Sequence, residues 1–248
     1  MTLDEIQSRL SRIETLWSVV RKAHGSDERS LANAQQQLLD LYGSAIRRYL
    51  LASVKNADLA DELFQEFAIK FVRGEFKNAD PSKGRFRSFV KTVLSRIVAL
   101  HFRKQKTRKE QSLHEELTGQ ETASERDDDR AFIQSWREEL LSRTWKALSA
   151  EEERTGKPWN TILRIRVSDP AASSEELAEA ISLATGKSTT AGAARVSVHR
   201  ARARFAHLLI DVVAESLESP SFEDLEAELI ELGLIDYCQD VLTKTKSG

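Results

Sequence analysis

Large apolar residues recur at helical spacing along most of this chain, and few residues interrupt the pattern. The clearest run is Leu59, Leu63, Phe67 and Phe71, in which each member follows the last by four residues. Such a period is typical of a helix with one buried face. With only 10 glycines and 4 prolines in 248 residues, the chain lacks the frequent breaks of an all-β fold. The sequence therefore predicts an all-α protein.

The helical periods form two groups, separated by a stretch without an apolar period. Helices are predicted over residues 3–23, 31–54, 58–72, 86–106, 131–153, 160–167, 174–184, 190–216 and 222–242, with a turn at 80–84. Ser173 and Glu176 are spaced as a capping box for the helix that begins at 174. The predicted organisation is an N-terminal helical extension (1–37), a helical domain (38–110), an acidic linker (111–130), a second helical domain (131–212) and an acidic C-terminal helical extension (213–248).

Charge is strongly segregated, although the net charge is only −2. Residues 83–109 carry ten Lys or Arg and no acid, and residues 195–204 carry four Arg and no acid. Residues 112–130 hold seven acids against two Arg, and residues 211–240 hold ten acids and no Lys or Arg. Two basic blocks between acidic stretches predict two contacts with a polyanion. For either block alone, a solvated helix face is an equally good interpretation.

Motifs of enzymes are missing or incomplete. The five histidines are scattered, and Cys238 is the single cysteine. Residues 184–189 resemble the end of a phosphate-binding loop, but Ile181 stands where that loop requires glycine. We expect no catalytic residues, no metal and no cofactor. No apolar run reaches membrane length and the first residues are unlike a signal peptide, so a cytoplasmic location without membrane contact is expected.

The basic block at 83–109 falls mostly on one predicted helix. Its apolar stripe is expected to comprise Phe89, Val90, Val93, Ile97 and Leu100. Cations flank this stripe on both sides, so the helix could follow a phosphate backbone. Phe86 and Phe89 could stack on unpaired bases, but their place near the stripe favours the core.

The second basic block falls on the later helix of a predicted helix-turn-helix. Leu177, Ala178, Ile181 and Ala184 are expected to face inward on the first helix. The inward set on the second is Ala194, Val198, Ala201, Phe205 and Leu208. This arrangement turns Arg195, His199, Arg200 and Arg204 outward, with Arg202 beside them. Residues 182–189 make the intervening turn longer than usual.

Three segments resemble bacterial RNA polymerase sigma factors of the extracytoplasmic-function (ECF) type. They are Asp-Leu-Ala-Asp-Glu-Leu-Phe-Gln-Glu-Phe at 58–67, Asp-Pro-Ser-Lys-Gly-Arg-Phe-Arg-Ser-Phe at 80–89, and Val-Ser-Val-His-Arg-Ala-Arg-Ala-Arg-Phe at 196–205. The first two resemble sigma region 2 and the third the recognition helix of region 4. The resemblance covers residues 38–110 and 140–212. The helix around Trp17 and the Glu-rich end are similar, more weakly, to sigma factors of planctomycete-like bacteria.

The resemblance implies a non-enzymatic subunit that directs core RNA polymerase to promoters. Its partners would be the β′ and β subunits and promoter DNA; whether an anti-sigma factor also binds stays open. The residues implied for polymerase binding are Asp58, Asp61, Glu62, Gln65 and Glu66. Those implied for the −10 region are Arg85, Arg87, Lys91, Arg96, His101, Arg103 and Lys104, and those for the −35 region are Thr190, Arg195, Ser197, His199, Arg200 and Arg202.

One departure leaves the base captured at the −10 element open. Arg96 and Leu100 stand where many relatives carry an Asn-rich turn followed by Asp. Two other classes of protein also remain: a stand-alone helix-turn-helix regulator whose first domain only dimerises, and a helical adaptor without a DNA role. The acidic face at 58–66 favours the sigma interpretation over a plain regulator. The acidic extension could either mask a basic block or brace the second domain.

Overall fold

All regular secondary structure in the part of the chain that the structure describes is helical. The structure is a computed structural model that describes residues 28–76, 85–111, 125–217 and 221–246. These residues form nine helices: α1 (Glu28–Val54), α2 (Ala57–Val72), α3 (Phe86–Gln111), α4 (Glu125–Thr155), α5 (Trp159–Ser168), α6 (Ser174–Thr185), α7 (Ala191–Ala214), α8 (Phe222–Glu231) and α9 (Ile235–Lys246). The all-α prediction is confirmed for them. The predicted helix at 3–23 and the turn at 80–84 lie outside the described residues.

The chain divides into two compact units, and the division falls inside α4, between Glu139 and Leu140. The described part of the first unit comprises residues 28–76, 85–111, 125–139 and 215–217, and that of the second comprises 140–214 and 221–246. Helix α4 begins at Glu125, six residues before the predicted start. Residues 125–130, the end of the predicted linker, are therefore helical.

Aromatic packing explains why the start of α4 belongs to the first unit. The Trp136 ring stacks on Tyr42, with ring centroids 4.5 Å apart, and Phe132 meets Tyr49 edge-on at 5.2 Å. Arg48 of α1 donates hydrogen bonds to the Ser135 carbonyl and the Glu139 carboxylate, each at 3.0 Å. Truncation of a buried aromatic side chain to alanine costs about 3–5 kcal/mol of stability. Burial of these rings therefore outweighs the cost of bringing an acidic segment against the first unit.

Helices α1 and α2 pack closely, and α2 has the predicted division of faces. A Cβ added to Gly43 would lie 3.4 Å from the Phe64 ring, in van der Waals contact, so the Phe64 side chain lies directly over this position of α1. The Asn56 side chain accepts a hydrogen bond from the Leu59 N–H and caps α2 at its start. Leu63, Phe67 and Phe71 are buried, as predicted, while Leu59 is half-buried.

The buried face of α3 differs from the predicted stripe by about one position. It comprises Phe86, Val90, Leu94 and Ile97, which recur at intervals of four, four and three residues. Leu94 was not in the predicted stripe, and Leu100, which was, is 42% exposed. Because the inward face follows the phase set by Phe86, Phe89 and Val93 lie at its edge and are half-buried.

The helix-turn-helix of the second unit follows the sequence pattern with small differences. Ser173 and Glu176 form the predicted capping box, and Gly186 ends α6 with φ of 68°. The inward sides of α6 and α7 are buried as predicted, except at two positions: Ala184 is exposed and Leu208 is half-buried. The next residue, Leu209, is the fully buried one at this level of α7.

The C-terminal extension contains two helices where the sequence predicts one. Gly233, with φ of 63°, breaks the segment between α8 and α9. Most large apolar side chains of the extension are buried, among them Phe222, Leu225 and Leu229, whereas Ile230 and Tyr237 are more than half exposed. The Cys238 thiol of α9 lies 3.9 Å from the Ala206 carbonyl oxygen of α7. This packing is what the bracing alternative predicts.

Within the described ranges, no helix is both long enough and apolar enough to cross a bilayer.

The packing of α9 predicts that the thiol of Cys238 is protected. Burial raises its pKa to about 12, so the reactive thiolate is scarce at neutral pH. We expect a water-soluble disulfide reagent at pH 8 to label the native chain at least about 100-fold more slowly than the chain in denaturant. Equal rates, with the native helical circular dichroism retained, would show that α9 does not pack on α7.

Candidate nucleic-acid and protein interfaces

The N-terminal half of α7 presents a cationic face opposite its buried side. Ala194, Val198 and Ala201 face the interior. The exposed side chains of this half include four basic residues, namely Arg195, His199, Arg200 and Arg202. Residues 191–204 contain no Asp or Glu. The structure thus places four of the six residues predicted for the −35 region on exposed positions of one helix, and Ser197, half-buried, at the edge of that face.

Arg195 is held by a residue that the sequence analysis did not select. Its Nη1 donates a hydrogen bond to Ser174 Oγ at 3.1 Å, from the first residue of α6. A guanidinium fixed in this way loses less side-chain freedom when it binds a ligand. Ser174 is therefore a positioning residue for Arg195. The sequence gives no sign of this contact, since the two residues are 21 positions apart.

Arg204 does not face outward as predicted. Its Nε donates to a carboxylate oxygen of Glu151 at 2.6 Å, and the Arg204 side chain is only 28% exposed. The Glu151 side chain is 12% exposed, and a carboxylate that is largely removed from water is costly without a cation. Arg204 therefore joins α7 to α4, and the candidate interface loses one of its four arginines.

The turn before α7 consists of Gly186–Thr190, which is shorter than the predicted segment because α6 continues to Thr185. The Thr190 hydroxyl oxygen accepts a hydrogen bond from the Ala193 N–H at 3.2 Å. The Thr189 N–H donates to Ser182 Oγ at 2.9 Å. Thr190, predicted as a DNA-contacting residue, thus holds the first turn of α7, where the free N–H groups of a helix favour anions.

Nothing in the described part of the chain requires glycine at position 192. A Cβ added there would meet no atom within 4 Å. Glycine in a helix costs about 0.5–1 kcal/mol relative to alanine, and no neighbour in the described structure recovers that cost. A small residue on an exposed cationic face suits close approach by an external molecule.

A cavity of about 590 Å³ lies beside this helix in the second unit. Its apolar lining includes Trp145 and Phe205. His199 and Arg202 of α7 line it together with Asp236 and Asp240 of α9. The C-terminal extension, which packs on α7, therefore also places two carboxylates in the cavity that is lined by His199 and Arg202.

Helix α3 carries the first basic block, and its cations differ in accessibility. Arg96, Arg103 and Lys104 are exposed, whereas Arg85, Lys91 and His101 are half-buried. Arg87 is only 3% exposed. Position 87 lies beside Phe86 at the start of the buried face, so the fold turns this guanidinium inward. This position is at odds with the phosphate contact that the resemblance implies for Arg87.

Lys91 is engaged by the acidic start of α4, a contact that the sequence analysis did not predict. Its Nζ forms an ion pair with the Asp129 carboxylate. The neighbouring Asp128 accepts a hydrogen bond from Ser53 Oγ at 3.4 Å, and burial raises the pKa of this carboxyl above its ordinary value. The triplet 127–129 is thus not simply solvated linker, since two of its carboxylates contact other helices of the first unit.

The outer face of α2 combines acidic and apolar side chains. Asp58, Asp61, Glu62 and Gln65 are exposed, and Glu66 is half-buried. The face continues with two apolar residues that the sequence analysis did not select: Ile69 and Val72 are 50% and 51% exposed. Asp61 forms an exposed ion pair with Arg47 at 3.5 Å, and Lys70 Nζ lies 3.9 Å from Glu66. An acidic surface with an apolar end suits a basic protein partner.

No family model, curated protein or solved structure matches the chain. A functional assignment depends on the motifs and on the surfaces described above.

The Lys91–Asp129 pair predicts that Asp129→Asn strengthens binding of a nonspecific DNA duplex. Release of Lys91 should raise affinity about two- to fivefold at low salt, and the gain should shrink as salt screens the charges. Fluorescence anisotropy measures both. Asp127→Asn is the matched control, because it removes the same charge from an exposed neighbour. An equal gain in both variants would mean that net charge alone is responsible.

Gly192→Ala should affect stability and DNA binding in opposite directions. The free energy of unfolding should rise by up to about 1 kcal/mol, because alanine is the better helix former and its Cβ meets nothing. Affinity for DNA should fall, because the methyl group occupies space at the candidate interface. Chemical denaturation and anisotropy measure the two effects. Unchanged DNA affinity in the stabilised variant would contradict close approach at this position.

Proposed function

We propose that the chain is a sigma factor of the ECF type, which binds core RNA polymerase and directs promoter recognition, DNA melting and transcription initiation. One observation carries the proposal: in each unit, a sequence motif that resembles a sigma factor falls on an exposed charged face of a helix. The acidic motif at 58–67 has its first three carboxylates exposed on α2. The motif at 196–205 has His199, Arg200 and Arg202 exposed on α7. A stand-alone DNA-binding regulator needs only the second of these surfaces.

In this proposal α2 docks on the coiled coil of the β′ subunit. Exposed carboxylates such as Asp58 and Glu62 steer the encounter with a basic surface, and steering of this kind raises the association rate. Ile69 and Val72 would then supply apolar area at one end of the contact. Charged contacts contribute more to specificity than to affinity. A surface that combines carboxylates with apolar side chains is therefore better suited to a stable complex.

The exposed cations of α3 would bind the −10 element and its melted strand. Arg96, Arg103 and Lys104 lie on the outer part of the helix and can neutralise phosphates without reading sequence. Lys91 would have to exchange Asp129 for phosphate, which makes its contribution dependent on salt. Capture of an unpaired base in the first domain would offset the few kcal/mol that unstacking costs.

Helix α7 would enter the major groove at the −35 element. Arg195, anchored to Ser174, is the best placed to bond a base edge. Arg200 and Arg202 lie farther along the helix and suit phosphate contacts. Each DNA contact is weak by itself. Core polymerase would join the two into one strong interaction by raising the effective concentration of the second.

The polymerase contact is tested by the double variant Asp61→Arg/Glu66→Arg. Both residues lie on the polar face of α2, so little packing is lost, while the reversed charges oppose a basic partner. We expect affinity for core RNA polymerase to fall at least about 30-fold, or ~2 kcal/mol, with circular dichroism unchanged. The control is Glu223→Arg/Glu231→Arg, which makes the same charge change on α8. Equal affinity of the α2 variant and the native chain would remove the main argument for a sigma factor.

The two roles within α7 are distinguished by Arg195→Ala and Arg202→Ala. Loss of a base-edge contact should cost about 1–3 kcal/mol at promoters with the preferred base and relax specificity at that position. Loss of a phosphate contact should weaken all promoters alike and lower the salt slope by about one. Transcription from a set of −35 variants provides the comparison. A uniform loss in Arg195→Ala would show that the register of α7 is wrong.

A further inference from the structure

The cationic face of α7 contains one large apolar side chain, that of Val196, which is 49% exposed. Ala194 and Val198, two positions before and after it, are buried on the opposite side of the helix. Val196 therefore does not belong to the buried face. A β-branched residue is a poor choice for an exposed helix position, where it neither packs nor favours the helix. The described residues therefore give no reason for valine here.

The surroundings of Val196 identify the chemistry of what covers it. Arg195, His199 and Arg200 lie within one turn, and no acid occurs between residues 191 and 204. These charges suit a polyanion. Gly192, one turn earlier on the same face, presents no Cβ, and the space around it is open. Because no side chain at position 192 holds a bound molecule away from the helix, the nearby Val196 side chain can contact that molecule.

In the major groove of DNA, the apolar group displayed by a base edge is the C5 methyl of thymine. We infer that Val196 is a specificity-determining residue that contacts a thymine methyl group at the DNA site read by α7. The inference rests on the proposed function, because it requires that α7 bind DNA. Arg195, fixed by Ser174, would bond the polar edge of an adjacent base and thereby set the position of Val196.

The test removes one methyl group from the DNA and compares two proteins. The full chain, bound to core RNA polymerase, first selects duplexes from a random library. Each thymine of the enriched −35 segment is then replaced in turn by deoxyuridine, which lacks only the C5 methyl. One replacement should weaken binding to the native chain about fourfold, as expected for loss of one buried methyl group. The same replacement should have no effect on the Val196→Ala protein.

Val167→Ala provides the matched control. Val167 is 59% exposed on α5, outside the cationic face, and its variant should discriminate thymine from deoxyuridine as the native chain does. Alanine is the better helix former at both positions, so both variants should fold. Discrimination that persists in Val196→Ala, or no effect at any thymine, would overturn the inference and leave the proposed function standing. Enrichment of no sequence at all would overturn both.

Discussion

On two helices, α2 and α7, the burial of one apolar face determines which charges reach solvent. Helix α2 buries Leu63 and Phe67, which leaves its carboxylates outside. Helix α7 buries Ala194, Val198 and Ala201, which leaves a cationic face free of acids. Because burial of these side chains is the dominant stabilising term, the charged surfaces cannot be rotated inward without loss of the core. The candidate interfaces are therefore consequences of packing.

The sequence predicts the helices and most of the exposed charges because both depend on local periodicity. Ser173, Glu176 and Gly186 act as the caps that their positions in the sequence indicate. Prediction fails where phase or a break depends on tertiary contacts. Leu94 replaces Leu100 in the core of α3, and Gly233 divides the C-terminal extension into two helices. The phase of α3 is decided by neighbouring helices, which the spacing of its apolar residues does not reveal, and the break at Gly233 divides an apolar pattern that is continuous in the sequence.

Ion pairs and ring contacts between residues far apart in the sequence are the other features that the sequence does not predict. Arg204 pairs with Glu151 and Lys91 pairs with Asp129, so two cations of the basic blocks are already engaged by carboxylates of α4. In the first unit, Trp136 on Tyr42 draws the start of the same helix into the core. Helix α4 thus has two roles that its acidic composition does not indicate. It completes the hydrophobic core of the first unit, and its carboxylates reduce the number of cations that are available to a polyanion.

Transcription start sites test most directly the proposed function, in which the chain confers promoter specificity on core RNA polymerase. Core polymerase transcribes a library of genomic fragments with and without the purified chain, and the RNA 5′ ends are sequenced. We expect the chain to concentrate initiation at a small set of positions, each preceded by shared sequences centred near −35 and −10. Start sites that are unchanged by the chain, across a concentration range that saturates binding to core polymerase, would contradict it.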